Sequence, residues 1–432
     1  MKLKTQVALF WFRRDLRLDD NVGLFQALNS RFPVIPIFIF DDAILESLPK
    51  DDARVSFIYD SLLKINHELK AIESSLLIKK GNTKAVWKNL LQEFEITDVY
   101  FNKDYEPYAI QRDKEVKTFL ESNQIEVHSY KDQVIFEELE ITKADGLPYT
   151  IYTPYKNKWM ENFRFQSPIT EYDTKNHFSN FYKFNFNFPK ISEIGFEKST
   201  IKVMPHNLTE IQNYHETRNF PALNSTSYLS PHLRFGTVSI RKLVNWAVKK
   251  NQIFLNELIW REFFMQILYS FPKVVTHNFK AAYDGIQWRN NEAEFELWCQ
   301  GKTGFPMVDA GMRQLNQTGY MHNRVRMVVA SFLCKHLLID WRWGEAYFAQ
   351  KLLDFDLSAN VGNWQWAAGT GCDAAPYFRV FNPQIQLEKF DKNGIYIRKW
   401  IPEFELGYGA PIVDHAFARD RAIATYKAGI LK

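Results

Sequence analysis

The chain has 432 residues, of which 46% are hydrophobic, 24% charged and 16% aromatic, and its net charge is +4. This apolar content excludes a disordered chain, and 18 glycines exclude a collagen-like one. Three cysteines without a CxxC pair, Cys299, Cys334 and Cys372, argue against a disulfide scaffold and against zinc or iron–sulfur sites, and they suit a reducing cytoplasm. Because no apolar stretch approaches about 18 residues, we expect no membrane span.

The first 130 residues alternate short apolar runs with amphipathic stretches. The runs that predict strands are 7–12, 34–40, 76–78, 98–101 and 125–128. Between the second and third runs, the stretch 53–71 has apolar residues at helical spacing, namely Val55, Ile58, Leu62, Ile65 and Leu69. This alternation predicts an α/β domain with a parallel sheet that is covered on both faces. No GxGxxG motif follows the first strand, so the standard dinucleotide fingerprint is absent.

The remainder of the chain divides into two predicted parts. Residues 131–204 scatter Pro, Asn and aromatic residues without a clear period, which indicates a long ordered linker. From 205 to 432 the pattern is helical and predicts an all-α domain. Residues 1–130 hold 18 basic and 20 acidic residues, whereas 131–432 hold 36 and 30. A polyanionic partner would therefore bind the second part, although an excess of this size is also ordinary for a surface.

Two segments at the start of the helical part contain polar groups that suit ligand binding. Thr226, Ser227 and Ser230 are clustered hydroxyls, which either hold a phosphate group or cap a helix. The helix predicted over 254–271 is apolar nearly all round, yet it contains Glu257 and Arg261, which are four residues apart and could pair. A carboxylate in such a helix is costly unless it is paired, so this helix is expected to form a pocket wall.

Two later segments place charged and aromatic residues together. In 320–343, helical spacing puts Asn323, Arg326 and Met327 on one face and Arg324 elsewhere. In 352–386, Asp354 and Asp356 could neutralise these arginines. Either structural salt bridges or contacts to a phosphate or cofactor would explain the arginines. Six of the twelve tryptophans lie between 288 and 366, where they serve core packing, electron transfer or base stacking.

Taken together, these segments resemble the photolyase/cryptochrome family of flavoproteins, and most closely its class I enzymes for cyclobutane pyrimidine dimers. The matching motifs are RDLRLDDN, DYEPYAIQRD, TSYLSPHLRFG, NELIWREFF, GKTGFPMVDAGMRQL, MHNRVRM, DFDLSANVGNWQW and DAAPYFRVFNP, which follow one order along nearly the whole chain. The resemblance implies a Rossmann-like antenna domain over 1–130, the linker over 131–204 and an all-α FAD-binding domain over 205–432. It also implies a deoxyribodipyrimidine photo-lyase, acting as a monomer on UV-damaged DNA without a metal.

The resemblance also implies residues for the cofactor. Those that match positions around FAD are Tyr214, Thr226, Ser227, Leu229, Ser230, Arg261, Arg326, Asp354, Asp356 and Asn360. Asp354 and Arg326 would form an ion pair beside the flavin. Asn360 would face the flavin N5 nitrogen, where a neutral amide tolerates a reduced anionic ring that a carboxylate would repel.

Further matches imply residues for the lesion, the DNA and electron transfer. Those with catalytic roles would be Glu257, Asn323, Met327, Asn360 and Trp366. Contacts to DNA and its flipped-out dimer would come from Arg218, Glu257, Trp260, Asn323, Arg324, Trp366, Arg379 and Gln386. The chain that photoreduces FAD would be Trp364, Trp341 and Trp288.

Three rival functions and the second chromophore stay open. Some relatives with a folate antenna have Asn-Glu where this chain has Tyr108 and Ala109, which argues against folate there; a deazaflavin, a second flavin or no antenna remain. A signalling cryptochrome is disfavoured because Asn360 is not acidic, Trp366 is not the Tyr of plant-type cryptochromes, and no long tail follows 414–427. A 6-4 photolyase is disfavoured because Met327 replaces a histidine and His322 is alone. A light-independent reductase would need a nicotinamide site, for which no fingerprint is present.

Overall fold

The computed structural model describes residues 5–430, which form two compact units. The first unit contains the residues up to Glu137, with Glu161–Pro205 and Leu229–Lys249. The second contains Glu138–Met160, His206–Tyr228 and the residues from Lys250 onward.

The first unit is built on a five-stranded parallel sheet in the order β3-β2-β1-β4-β5. Its strands are β1 Gln6–Phe12, β2 Val34–Asp41, β3 Leu77–Gly81, β4 Glu95–Asn102 and β5 Glu126–Tyr130. Alternate side chains of β1 point to opposite faces, so Phe10 and Phe12 enter one hydrophobic core while Leu9 and Trp11 enter another. The predicted parallel sheet with two covered faces is confirmed.

Eighteen α-helices lie in the described residues. They are α1 Val22–Leu28, α2 Asp42–Leu45, α3 Ala53–Lys70, α4 Thr83–Glu93, α5 Pro107–Ser122, α6 Tyr152–Gln166, α7 Tyr214–Thr217, α8 Leu229–Phe235, α9 Ile240–Lys250, α10 Gln252–Ser270, α11 Glu292–Gln300, α12 Pro306–Thr318, α13 Asn323–Ser331, α14 Trp341–Lys351, α15 Leu357–Ala368, α16 Pro383–Phe390, α17 Ile395–Trp400 and α18 His415–Gly429. Within residues 5–430, no helix combines the length and hydrophobicity needed to cross a bilayer.

The second unit is helical, as the pattern predicts, and its core gathers around α12, α13 and α15. Local sequence explains where these helices begin and end. Asn251 caps α10, Asp356 caps α15, and Pro306 opens α12. Gly369 ends α15 at φ 86°, a left-handed conformation that favours glycine. A π-helical turn, Phe332–His336, follows α13.

The candidate FAD- and DNA-binding region

A cleft in the helical unit has a volume of about 610 Å³, counted together with the open solvent at its mouth. It is formed by α13, the end of α14, and α15 with the segment that precedes it. Eight residues singled out from the sequence line it, namely Asn323, Arg326, Met327, Asp354, Asp356, Asn360, Trp364 and Trp366. Arg324 is not among the lining residues, which agrees with its predicted position on another face of α13.

An ion pair fixes one wall of the cleft. Arg326 donates from Nη2 to Asp354 Oδ2 at 2.8 Å and from Nη1 to Oδ1 at 3.2 Å. Its Nε donates to the Met321 carbonyl at 2.8 Å. A guanidinium bonded along both edges of its plane has little rotational freedom. The expected pairing of Asp354 with Arg326 is therefore present in the structure.

Asp356 sets the start of α15 and so the direction of its inward face. Its Oδ1 accepts from the backbone N–H of Ala359 at 3.2 Å and from the Ser358 hydroxyl. A carboxylate at this position also interacts favourably with the positive end of the helix dipole. Asp356 therefore acts on α15 as its N-cap, whereas Asp354 pairs with the arginine.

A half-buried carboxylate that sequence reasoning missed, that of Glu345, holds Asn360. The Asn360 Nδ2 donates to Glu345 Oε1 at 2.8 Å and to the Glu345 carbonyl at 3.1 Å. Because both partners are acceptors, the amide presents its NH₂ group to α14. Burial raises the pKa of Glu345, and the bond from Asn360 opposes that rise. The available signal was a glutamate four residues after Trp341 and three before Phe348, on the side of α14 that is buried.

Trp364 is immobilised at the base of the cleft. Its ring lies 5.0 Å from that of Phe348 and 6.2 Å from that of Trp298, both in edge-on geometry. A side chain at Gly344 would overlap its indole, so this glycine lets the α14 backbone approach. Trp341, earlier on α14, is fully buried and donates from Nε1 to Asn278 Oδ1 at 2.9 Å. Trp288 packs on the same hydrophobic core, and its ring lies 5.7 Å from that of Tyr426.

A second group of predicted residues lies around α10. Glu257 Oε1 accepts from Arg218 Nη1 at 2.7 Å, a different partner from the Arg261 proposed from the spacing. Burial raises the pKa of Glu257, and Arg218 opposes the rise. The Arg218 guanidinium lies 5.2 Å from the ring centre of Tyr214.

Trp260, three residues after Glu257, is held by aromatic neighbours. Its ring stacks on Tyr152 of α6 with 3.6 Å between centroids and 7° between planes. The Tyr152 hydroxyl donates to the Asn256 carbonyl at 2.8 Å. On another side, Phe264 lies 5.5 Å from Trp260. Sequence reasoning missed Tyr152 because it placed this segment in a linker.

Three arginines of the helical unit gather close together. The pKa of Arg324 is lowered by burial and then by the like charges of Arg218 and Arg379. Arg324 donates to Asn219 Oδ1 at 2.8 Å, and its guanidinium lies 4.5 Å from the ring centre of Phe390. Like charges held together are costly, and an anion offsets that cost. The arrangement suits a phosphate-bearing ligand.

Comparisons with known proteins identify the family. The chain matches two family descriptions, "DNA photolyase" over residues 8–174 and "FAD binding domain of DNA photolyase" over residues 254–406. A curated protein of Agrobacterium fabrum, named deoxyribodipyrimidine photo-lyase, is 35% identical and covers 99% of both chains. The chain belongs to the photolyase/cryptochrome family.

Solved structures agree with this family membership. A bacterial class III photolyase from Agrobacterium tumefaciens is 34% identical, with a TM-score of 0.87 over 99% of this chain and 98% of its own. A cryptochrome from Synechocystis is 24% identical, with a TM-score of 0.83 over 98% of this chain and 100% of its own. The second comparison shows that photolyases and cryptochromes share this fold.

The cleft fits the cofactor of the photolyase family. It lies entirely within the part of the chain that matches the FAD-binding domain. Its walls combine the Arg326–Asp354 pair and the Asn360 amide with apolar surface from Met327, Trp364 and Ala367, among others. An aromatic ring system with a charged tail needs both kinds of surface. The chain therefore contains the FAD-binding domain of its family, and the prediction of FAD as the cofactor is confirmed.

The other predicted residues of this photolyase-family chain lie as follows. Thr226 accepts a hydrogen bond from the Tyr320 hydroxyl at 3.2 Å. The Ser227 carbonyl accepts from the Asn207 N–H at 2.9 Å. Leu229 and Ser230 lie at the start of α8, within the first unit. Arg261 lies on α10 and Gln386 on α16. His322 caps α13, and burial lowers its pKa to about 4, so it is neutral at pH 7.

Proposed function

We propose that this chain repairs cyclobutane pyrimidine dimers in DNA with blue light and bound FAD. The observation that carries the proposal is the cleft with Arg326, Asp354 and Asn360 in its walls, in a unit that also gathers three arginines. A cofactor pocket and a cationic surface together suit an enzyme that brings a flavin to a nucleic acid.

The arginine cluster, formed by Arg218, Arg324 and Arg379, binds the damaged strand. Arg218, Arg324 and Arg379 neutralise backbone phosphates around the dimer, and Gln386 adds a polar contact. The dimer leaves the duplex because a buried cofactor cannot reach it inside the stack. Trp260 and Trp366 then contact the flipped bases, as aromatic side chains do with unstacked bases.

Glu257 and Asn323 recognise the polar edges of the flipped bases. Burial raises the pKa of Glu257 and Arg218 opposes the rise; in its protonated form the carboxyl would donate to a base carbonyl. The Asn323 amide adds a second donor. Both bonds strengthen when the dimer gains negative charge, which lowers the barrier to ring opening. Met327 and Asn323 line the cleft, and Met327 supplies apolar surface to it.

The cofactor is held by residues on both sides of the cleft. Arg326 and Asp354 would hold its polar groups, and Asp356 and Asn360 would hold the ring edge. By resemblance, Tyr214, Thr226, Ser227, Leu229, Ser230 and Arg261 would hold the remainder. FAD held there in its reduced form would supply, under light, the electron that the dimer returns once the two bonds between its bases have broken. No net oxidation results.

Oxidised FAD would be reduced by electrons that pass along three tryptophans, Trp364, Trp341 and Trp288. Trp364 lines the cleft, Trp341 is buried on the neighbouring helix, and Trp288 is less buried. Rigid packing of Trp364 limits the reorganisation that accompanies the loss of an electron. The route therefore runs from the cleft through the core of the helical unit.

The test is repair under controlled light. Purified protein with fully reduced FAD is mixed with an oligonucleotide that contains one thymine dimer, and dimers are counted by chromatography after blue light or darkness. We expect loss of dimers only in the light. Equal dimer content in both samples would contradict the proposal and favour a sensor.

A second substrate separates the two repair activities. An oligonucleotide with a 6-4 photoproduct is treated in the same way. We expect it to stay intact, because Met327 stands where, by the resemblance, 6-4 enzymes have one of their paired histidines. Repair of the 6-4 product with no repair of the dimer would overturn the proposed specificity.

A further inference from the structure

Lys335 is an ammonium group buried in the helical unit. It lies in the π-helical turn Phe332–His336 and is only 1% exposed. Such turns often mark functional positions, because they interrupt a helix at some cost. A lysine is rarely buried to this degree without a partner anion.

The contacts of Lys335 are all to neutral groups. Its Nζ donates to the Ala368 carbonyl at 2.7 Å and to the Tyr377 carbonyl at 3.2 Å. The same atom lies 3.5 Å from the ring centre of Tyr426. In the described part of the chain, no carboxylate pairs with it. Burial accordingly lowers the pKa of Lys335 to about 7.

The two carbonyls stand at the two ends of one loop. Ala368 is the last residue of α15, and Tyr377 follows the turn 369–376. One ammonium group therefore closes this loop at its base. An apolar residue would fill the same space without the cost of burying a charge. Packing alone therefore does not explain a lysine here, whereas the hydrogen bonds from its Nζ to the two carbonyls do.

The loop joins two residues that the proposed function assigns to DNA. Trp366 precedes it and lines the cleft, and Arg379 follows it and belongs to the arginine cluster. Midway, Asp373 Oδ2 accepts from the Tyr152 N–H at 3.1 Å, and Tyr152 stacks on Trp260. The exposed Phe378 stands between the loop and Arg379. The loop is thus the segment that sets the spacing of these groups.

We propose that Lys335 is a positioning residue for DNA binding, which fixes both ends of the loop 368–377 and thereby the spacing of Trp366 and Arg379. This inference rests on the proposed function only in its assignment of these two residues to DNA. The role of Lys335 in ordering the loop stands on the contacts alone.

Loop order is measured first, by hydrogen–deuterium exchange of the FAD-loaded protein. The amides of Gly369, Thr370, Gly371 and Arg379 donate hydrogen bonds in the structure, so their exchange reports on the loop. In Lys335→Met we expect their exchange to rise about tenfold, with little change in peptides of α10. Lys335→Arg, which keeps a charged donor, should restore part of the protection. Lys351→Met removes an exposed lysine of the same unit and serves as the matched control.

DNA binding is measured next, with the dimer-containing oligonucleotide and the same variants. In Lys335→Met we expect affinity to fall about fivefold, the loss of roughly one hydrogen bond, while FAD content and absorption spectrum match the wild type. If Lys335→Met cannot be purified with FAD, Lys335→Gln takes its place under the same expectations.

Two outcomes overturn the proposal. Wild-type exchange in the loop of Lys335→Met would show that the ammonium does not order it. Parallel loss of FAD and of DNA affinity would show general damage to the unit. Failure of the wild type to bind or repair dimers would contradict the proposed function and leave the exchange result to decide the role of Lys335 in the loop.

Discussion

Two arginine clusters, one in each unit, are neutralised to different degrees. In the first unit, Arg17 and Arg241 both bond to Asp132 at 2.7–2.9 Å, and Arg241 also bonds to Asp20 at 3.0 Å. Burial raises the pKa of Asp132, but the two guanidinium groups outweigh it and the pKa is lowered. In the second unit, Arg324 has like charges as its charged neighbours. Arginines neutralised within the chain stabilise the fold, whereas an excess of cations leaves room for an external anion.

The buried tryptophans of the two units also differ, in whether they line a cleft. Trp87 in the first unit is fully buried and packs edge-on against Trp11 at 5.5 Å. Trp364 in the second unit is packed as tightly, yet it also lines the cleft. Burial alone therefore does not separate a core tryptophan from the one that we propose as an electron carrier, whereas a position beside the cleft does.

The largest expected effect concerns the neutralised arginines. Arg241→Gln leaves buried carboxylates partly unpaired and should lower the free energy of unfolding by about 3–5 kcal/mol. Arg324→Gln relieves repulsion and should change it by no more than about 0.5 kcal/mol. Urea unfolding of both variants and of the wild type measures these changes in the free energy of unfolding. Similar losses in both would remove the distinction between the two arginine clusters.

The next effect concerns the tryptophans. Trp364→Phe should slow photoreduction of oxidised FAD at least about tenfold, which is about 1.4 kcal/mol in the barrier, while repair persists once FAD is reduced chemically. Trp87→Phe is the matched control, which should lower stability and leave photoreduction unchanged. Absorbance of FAD under blue light gives the rate. Unchanged photoreduction in Trp364→Phe would exclude this residue from the route.

The smallest effect is a pH dependence. Burial raises the pKa of Glu257, so its protonated form persists above the usual pKa and is lost as pH rises through the raised value. Affinity for the dimer should therefore fall as pH rises through that range. Glu257→Gln, with a neutral donor at every pH, should bind with a flatter pH profile. An identical profile in both proteins would assign the dependence to another group.

The sequence predicted the sheet well because its strands are buried on both faces and appear as apolar runs. The ends of the strands were harder to predict. The strand β3 continues to Gly81 through Lys79 and Lys80, since pairing with β2 extends it beyond its apolar residues. Helix α6 was missed within the predicted linker, although Tyr155 and Trp159 are four apart and both buried. Their spacing was the available signal.

The candidate site was predictable where one helix supplies several residues. Helical spacing alone grouped Asn323, Arg326 and Met327, and the cleft contains all three. Contacts between distant segments were not predictable in this way. The bond from Arg218 to Glu257 joins residues 39 positions apart, and the one from Lys335 to Tyr377 joins residues 42 apart. Local spacing carries no information about such pairs, which depend on how helices pack.

Salt dependence of DNA binding tests most directly the claim that the cluster of Arg218, Arg324 and Arg379 faces phosphates. The measurement is the slope of log affinity against log salt concentration for the dimer-containing oligonucleotide. For the variant with Arg218→Gln, Arg324→Gln and Arg379→Gln combined, we predict a slope shallower than the wild type by about 2–3 units. An unchanged slope, with FAD still bound, would contradict the account.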